Sequence, residues 1–397
     1  MNSFIKQIRC DAIIITTNPT YHYFYCAWGI ENNINILCDK PLVVNKNSSS
    51  DLKNAKSIQN NFENLERLYE KAKKKNSKYM LCTPLRRRAL TPFIDIANNL
   101  SRVYKKTGEG IRYMSVITNG GLHRYPVEFL KGGAHGYLDG VGSLAHSSYH
   151  YIDIIAWYLK LAQGEATKIR IILPYIFRVK DYLSIKGYKN IKNLIEENSS
   201  KINDDIELSN NILSSELDFT FHLQLLNKKN IPLGLISYSS NHTTFTPRQV
   251  KYDSEITDNA NNPLGGRMSQ LYIDVHQGAL QNWQLIKNDV VFHGNEITTI
   301  GRQHPLIGIP YRKTKYSEAY EKGTISPQDL VISFIKYSGS LKISNDHFSL
   351  LSTIDNQKLT NRLFSKFYEK IAEDYEIKVL GKKGKKVEDV IEINDFS

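Results

Sequence analysis

At 397 residues the chain is long enough for two or more domains. Its 41% hydrophobic and 23% charged residues exclude an intrinsically disordered chain, and the lack of any run of about 18 apolar residues excludes a membrane-spanning helix. The formal net charge of +12 and pI near 9.2 raise nucleic acid as a partner, but the lysines are dispersed and no nucleic-acid-binding motif is present. The densest basic runs, "EKAKKKNSK" (70–78), Arg86-Arg87-Arg88 and "LGKKGKKVED" (380–389), read as solvated helix faces and tail. Neither a nucleic-acid nor a membrane partner is expected, although a basic surface also attracts phosphate-bearing cofactors and acidic substrates. Cys10, Cys26, Cys38 and Cys82 are too few and too irregular for a disulfide framework or a zinc site, and read as buried free thiols. The start of the chain, "MNSFIKQIRCDAIIITTNP", has neither the apolar segment nor the cleavage site of a signal peptide, so the expected location is cytoplasmic.

In chain order, "DAIIITT" (11–17) is a β-branched run ended by Asn18-Pro19, a buried strand. Residues 21–32 read as a helix, "NINILCD" (33–39) as a second buried strand, and 48–76 as a long helix with Ser49 or Ser50 as N-cap. "SKYMLCTPL" (77–85) is a third strand and 91–106 a third helix, with Pro92 in its first turn. Strand–helix alternation of this kind implies a parallel sheet with helical crossovers.

The pattern changes at Gly108-Glu109-Gly110. A strand at 111–120 and a long helix at 142–161 are followed by alternating runs at 166–177, 215–226, 231–240, 269–285 and 288–294, the strands of one antiparallel sheet. The polar stretch 184–211 reads as an excursion with one helix, and 359–376 as an amphipathic helix. The expected fold class is therefore α/β plus α+β. An incomplete Rossmann-type parallel sheet (1–108) precedes a domain with a large open antiparallel β-sheet (109–383) and a loose tail (384–397).

Two constellations carry chemistry. In doubly wound sheets ligands bind beyond the carboxyl ends of the strands, where this chain places Thr17-Asn18-Pro19 and Asp39-Lys40-Pro41. A lysine there can bond a ribose or a substrate hydroxyl and ease a developing alkoxide. Asp39 can hold Lys40 charged, and Pro41, with a cis bond before it, can aim the lysine. A polar turn closing a strand is the plain alternative. The second constellation is "GSLAHSSYHYIDIIAWYL", where His146, His150 and Asp153 stand at i, i+4 and i+7 on one helix face. His150 suits proton transfer to or from a carbonyl or alcohol. The three together also suit a metal, or simply a buried histidine satisfied locally.

With these residues in view, "IIITTNPTYHYFYCAWGI…NINILCDKPLVVN" resembles the second half of the dinucleotide-binding domain of the Gfo/Idh/MocA oxidoreductases (glucose–fructose oxidoreductase, inositol dehydrogenase and relatives). In that family one strand ends in a Thr-Pro-Asn-type loop followed by a His, and the next ends in Glu-Lys-Pro. Residues 142–153 match the family's Gly-Gly-x-Leu-x-Asp-x-x-x-His-x-x-Asp register, and "KYMLCTPLRRR" resembles the strand before its Arg-bearing segment. The resemblance implies hydride transfer between NAD or NADP and a sugar or polyol carbon. Lys40 and His150 would be catalytic, and His146, Asp153 and Arg88 (or Arg87) would reach substrate. Thr17, Asn18, Pro19, His22, Asp39, Lys40 and Pro41 would line the cofactor side. It also implies a homo-oligomer through the open sheet.

The chain departs from the family at Asp39, which replaces Glu, and at His146, which stands where Asp is common. The departure at His146 favours the metal alternative slightly. No Gly-x-Gly-x-x-Gly turn precedes residue 11, so the pyrophosphate cradle is absent from this sequence. The expectation is that this chain alone binds NAD(P) poorly. Either a separate chain supplies the first βαβ unit, or the gene is truncated, or the protein has become a cofactor-free binding or regulatory protein.

Overall fold

The structure, a computed structural model, describes residues 10–120, 136–187, 189–190, 208–244, 270–287, 296–317, 327–338, 352–382 and 388–393. The first region runs β1 (Ala12–Ile15), α1 (His22–Glu31), β2 (Asn35–Cys38), α2 (Leu52–Lys75), β3 (Leu81–Thr83) and α3 (Thr91–Thr107). β1 pairs with β2 and β2 with β3, both parallel. Ile36, Leu37 and Cys38 are all buried, as a strand covered on both faces requires. Among the described residues β1 forms the outer edge of this sheet, and Ile14 on it is 47% exposed. Along α2, Ala55, Ile58, Phe62, Leu65, Tyr69 and Ala72 repeat at three- and four-residue spacing and are buried. Its N-cap is Asp51, whose carboxylate accepts from Asn54 N at 3.0 Å, and not Ser49 or Ser50. α3 begins with Pro92 in its first turn and stops at Gly108, whose φ of +73° suits a residue without Cβ. Cys26, Cys38 and Cys82 are buried free thiols, as the sequence implied, whereas Cys10 is free but only half-buried.

The second region contains β4 (Tyr113–Asn119), α4 (Tyr149–Leu161), β5 (Lys168–Arg178), β6 (Glu216–Leu226), β7 (Pro232–Asn241), β8 (Gln270–Gln277), β9 (Gln281–Lys287), β10 (Glu296–Gln303) and β11 (Tyr311–Ser317). After these come α5 (Pro327–Ser338), β12 (Ser352–Thr353), α6 (Lys358–Lys378) and β13 (Val390–Glu392). Among the described residues nine strands form one sheet in the order β11-β10-β9-β8-β4-β7-β6-β5-β13. It is mixed and not purely antiparallel, because β4 and β7 run parallel. One face is core: Phe219, Phe221, Leu223 and Leu225 of β6 are buried, and Phe221 stacks on Phe367 of α6 with centroids 3.9 Å apart. The opposite face is open and carries Tyr113, Ile117, Ile172 and Leu235 exposed.

Chain segments from beyond residue 108 return to the first region. β12 adds antiparallel to β3, and Leu330 and Phe334 of α5 pack with Leu37, Met80 and Cys82. The tail expected to be loose contains β13, which pairs antiparallel with β5. Its short Val-Ile run supplies the pairing, with Ile391 buried. Residues 384–387 and 394–397 of that tail, the run 288–294 and most of the excursion 184–211 lie outside the described residues.

Candidate active site

The site grows from the carboxyl ends of β1 and β2. Asn18 caps a 3-10 turn (Pro19–Tyr21), accepting from Thr20 N at 3.0 Å, while its amide donates to Asp139 Oδ2 at 2.5 Å. His22 is fully buried; its Nδ1 lies 2.8 Å from the Pro41 carbonyl and its Nε2 3.0 Å from the Thr17 carbonyl. A neutral imidazole donates from one nitrogen at a time. Either way the ring is wedged between the two loops and keeps them adjacent. Thr17 and Asp39 are exposed. The Lys40–Pro41 peptide is cis, as the sequence suggested, and Lys40 Nζ donates to the backbone carbonyl of His146. The strand-tip lysine thus reaches the turn that leads into α4.

That turn is built around a residue the sequence did not single out. Glu216, at the start of β6, is fully buried. Its Oε1 accepts from Gly142 N and Leu144 N, both at 3.0 Å, and from the Tyr368 hydroxyl at 3.2 Å. Its Oε2 accepts from Ser49 Oγ at 2.5 Å. Burial pushes the Glu216 carboxyl above its ordinary pKa, and the Ser49 and backbone bonds pull it partly back. Gly142 packs so closely that a Cβ there would lie 2.0 Å from the Glu216 carbonyl oxygen. Residues Leu144–Ser148 are wound as a π turn before α4 begins.

The turn at Leu144–Ser148 is wider than the unbroken α-helix on which His146, His150 and Asp153 were expected to share a face. His146 and His150 are half-buried, whereas Asp153 is 1% exposed and turned to another partner. Arg88 grips it bidentately, Nε to Oδ2 at 2.7 Å and Nη2 to Oδ1 at 2.6 Å, and Thr360 donates to Oδ1 at 3.0 Å. Arg87 donates to the Tyr151 hydroxyl at 2.6 Å, with its guanidinium 4.2 Å from that ring's centroid. Arg88 and Asp153, expected at substrate, are therefore joined to each other and tie the end of β3 to α4 and α6. With Asp153 so held, His146, His150 and Asp153 do not form a metal site. Among the described residues no group of three His, Cys, Asp or Glu side chains has that geometry.

Two further groups border the same turn. His242 is buried, with Nε2 2.8 Å from Ser147 Oγ. Asp218 anchors it by accepting from His242 N at 2.6 Å and from Thr243 N at 3.0 Å. Burial raises the Asp218 carboxyl, opposed by its bonds to Thr243 and His242. The readable signal was "SELDF", two acids at the mouth of an apolar strand.

No family model matches the chain. No curated protein matches it. Solved structures do. A Thermotoga maritima protein assigned as an oxidoreductase superposes with a TM-score of 0.54 at 12% identity, covering 98% of this chain and 82% of that one. Levoglucosan dehydrogenase, solved with NADH and levoglucosan, gives 0.51 at 11% identity over 99% and 82%. The chain shares the fold of these oxidoreductase structures. The transcriptional regulator Gal80p of Kluyveromyces lactis shares it, with a TM-score of 0.53 at 15% identity over 99% of this chain and 77% of that one. Fold alone thus leaves enzyme and regulator both open, and the site must separate them.

Proposed function

We propose that the chain is a nicotinamide-dependent oxidoreductase acting at a hydroxyl or carbonyl carbon of a sugar, polyol or similar small molecule. The observation that carries this reading is the bond from Lys40 Nζ to the His146 carbonyl, one helical turn before His150. Lys40 presents its ammonium to the reacting oxygen and steadies negative charge there. His150 takes the proton when an alcohol is oxidised and returns it when a carbonyl is reduced. The cofactor, when bound, supplies or accepts the hydride. The two strand-end loops that His22 holds together fit its nicotinamide-ribose end, with Thr17, Pro19, Asp39, Lys40 and Pro41 available to line it. Asn18 has its amide and carbonyl engaged by Asp139 and Thr20, so it acts through the shape of the turn. Self-association is assigned to the open face of the nine-stranded sheet, where Tyr113, Ile117, Ile172 and Leu235 are exposed.

The test is NAD(P)H formation with a panel of sugars and polyols, in a lysate able to supply a partner chain, comparing wild type with Lys40→Ala and His150→Ala. Each substitution should lower turnover by about 10²–10⁴-fold. Turnover unchanged by both would overturn the reading. A cofactor-free binding protein is the second reading, favoured by the locking of Arg88 onto Asp153 and by His146 standing where the family commonly has an acid. It predicts no turnover in wild type but sugar binding by calorimetry.

A further inference from the structure

The β10–β11 connection is longer and more apolar than the β8–β9 turn of the same sheet. Residues 304–310 read His-Pro-Leu-Ile-Gly-Ile-Pro, and they project Leu306 at 78% exposure and Ile309 at 66%, followed by Tyr311 at 57%. Only Ile307 of its aliphatic residues turns inward. An isolated exposed leucine needs no explanation, but two aliphatic side chains and a tyrosine at one tip do.

Part of the backbone of this tip is bonded within the fold. His304 O accepts from Ile307 N at 2.8 Å and from Gly308 N at 3.2 Å, and His304 Nδ1 accepts from Leu306 N at 3.3 Å. Pro305 and Pro310 carry no N–H. The carbonyl of Leu306 is taken by Lys106 Nζ at 3.2 Å and that of Ile307 by Arg102 Nη1 at 2.8 Å, both cations coming from the last turns of α3. These bonds lower, without removing, the penalty for bringing the backbone of the tip into an apolar phase.

The same clamp sets positive charge around the base of the tip. Arg102, Lys105 and Lys106 are exposed on α3, and Arg312 and Lys313 are exposed on β11. A recess of about 270 Å³ between the tip and α3 is lined by Arg102, Arg312 and Ile309. Asp95, the acid nearest Arg312 at 3.6 Å, also accepts from Tyr316, so it is a bonded part of the scaffold.

We propose that the tip 305–310 docks the protein on an anionic lipid surface. Leu306 and Ile309 enter the acyl boundary, Tyr311 sits at headgroup level, and the surrounding lysines and arginines meet lipid phosphates. The chemistry selects lipid because an ordered apolar point ringed by cations matches the depth profile of an anionic bilayer. A protein partner would need a complementary acidic rim around an apolar socket. Peripheral contact of this kind requires no spanning helix, and no helix among the described residues is long and apolar enough to cross a membrane. It revises the expectation of no membrane partner and stands independently of the oxidoreductase reading.

The experiment is sedimentation of the full chain with vesicles of phosphatidylcholine, with and without phosphatidylserine, for wild type, Leu306→Ser/Ile309→Ser and Lys105→Glu/Lys313→Glu. All four changed positions are exposed, and melting curves matching wild type establish that the variants fold. Wild type should sediment with the serine-lipid vesicles and not with the neutral ones, and should be released by high salt. The tip variant should bind at least about tenfold more weakly, and the charge variant should lose about fivefold or more per charge reversed. Three outcomes would each overturn the proposal. One is no sedimentation of wild type with serine-lipid vesicles, and another is equal sedimentation of the tip variant, which marks adsorption by net charge alone. The third is conversion of a dimer to a monomer by the tip substitutions without change in lipid binding, which marks a contact between copies.

Discussion

Ser49 donates its hydroxyl to Oε2 of Glu216 at 2.5 Å, across 167 residues of chain. Because Oε1 of the same carboxylate receives Gly142 N, Leu144 N and Tyr368 Oη, one buried side chain joins the segment before α2, the entry to α4, the start of β6 and the middle of α6. Glu216→Ala would leave four buried donors without that acceptor and should destabilise the protein by roughly 3–5 kcal/mol. Glu216→Gln keeps an acceptor and should recover part of it. Urea midpoints of the two variants check this, and an Ala variant within about 1 kcal/mol of wild type would contradict the fastening role.

Glu216 also predicts a pH effect. Burial raises its folded-state pKa above the ordinary carboxylate value, whereas the unfolded chain loses the proton at that ordinary value. Its contribution is therefore fullest below the unfolded pKa and declines as pH rises through the folded one. Relative to wild type, Glu216→Gln should gain stability as pH rises from the ordinary carboxylate range upward. A constant difference across that window would show that the carboxyl does not titrate differently on folding.

Gly142→Ala should be poorly tolerated. The new Cβ would meet the Glu216 carbonyl oxygen at 2.0 Å, and backbone cannot step aside as a side chain can. A loss of about 3 kcal/mol is expected, read from thermal melting, together with a fall in any turnover that depends on His150. An unchanged melting temperature would mean that β6 yields at this point.

The Arg88–Asp153 pair should behave as a buried ion pair. Asp153→Leu or Arg88→Met alone leaves a charge stranded and should cost roughly 3–5 kcal/mol. The double variant should cost clearly less than the sum, because it removes both charges together. Additive losses would mean that Thr360 and Asn356, and not the pairing, hold these side chains.

Much of the first region could be read in the chain because its signals are local. A β-branched run, a capped amphipathic helix and a second apolar run specify βαβ without reference to anything distant. The lysine at the tip of β2 and its cis proline were legible for the same reason. Tertiary competition hid the rest. Ser48, Ser49, Ser50 and Asp51 all have capping chemistry, but Glu216 claims Ser49, and the cap falls to Asp51. The one-face placement of His146, His150 and Asp153 assumed an unbroken α-helix, and the π turn at Leu144–Ser148 changes the angle between them. β13 was obscured by the charged residues around its short apolar core. Glu216 gave little notice, since its four partners come from three distant parts of the chain.

The position of β4 has a consequence for how the molecule is made. It is the first strand of the large sheet to leave the ribosome, yet it lies in the interior of that sheet, between β7 and β8. Tyr113 pairs with Leu235 on one side and His276 on the other. At about 5–20 residues per second of synthesis, β4 waits with both hydrogen-bonding edges unclaimed for roughly six to twenty-five seconds, until β7 has been made. A newborn chain therefore passes through an interval in which the centre of its future sheet is open to wrong partners, and rapid overproduction should drive it toward inclusion bodies.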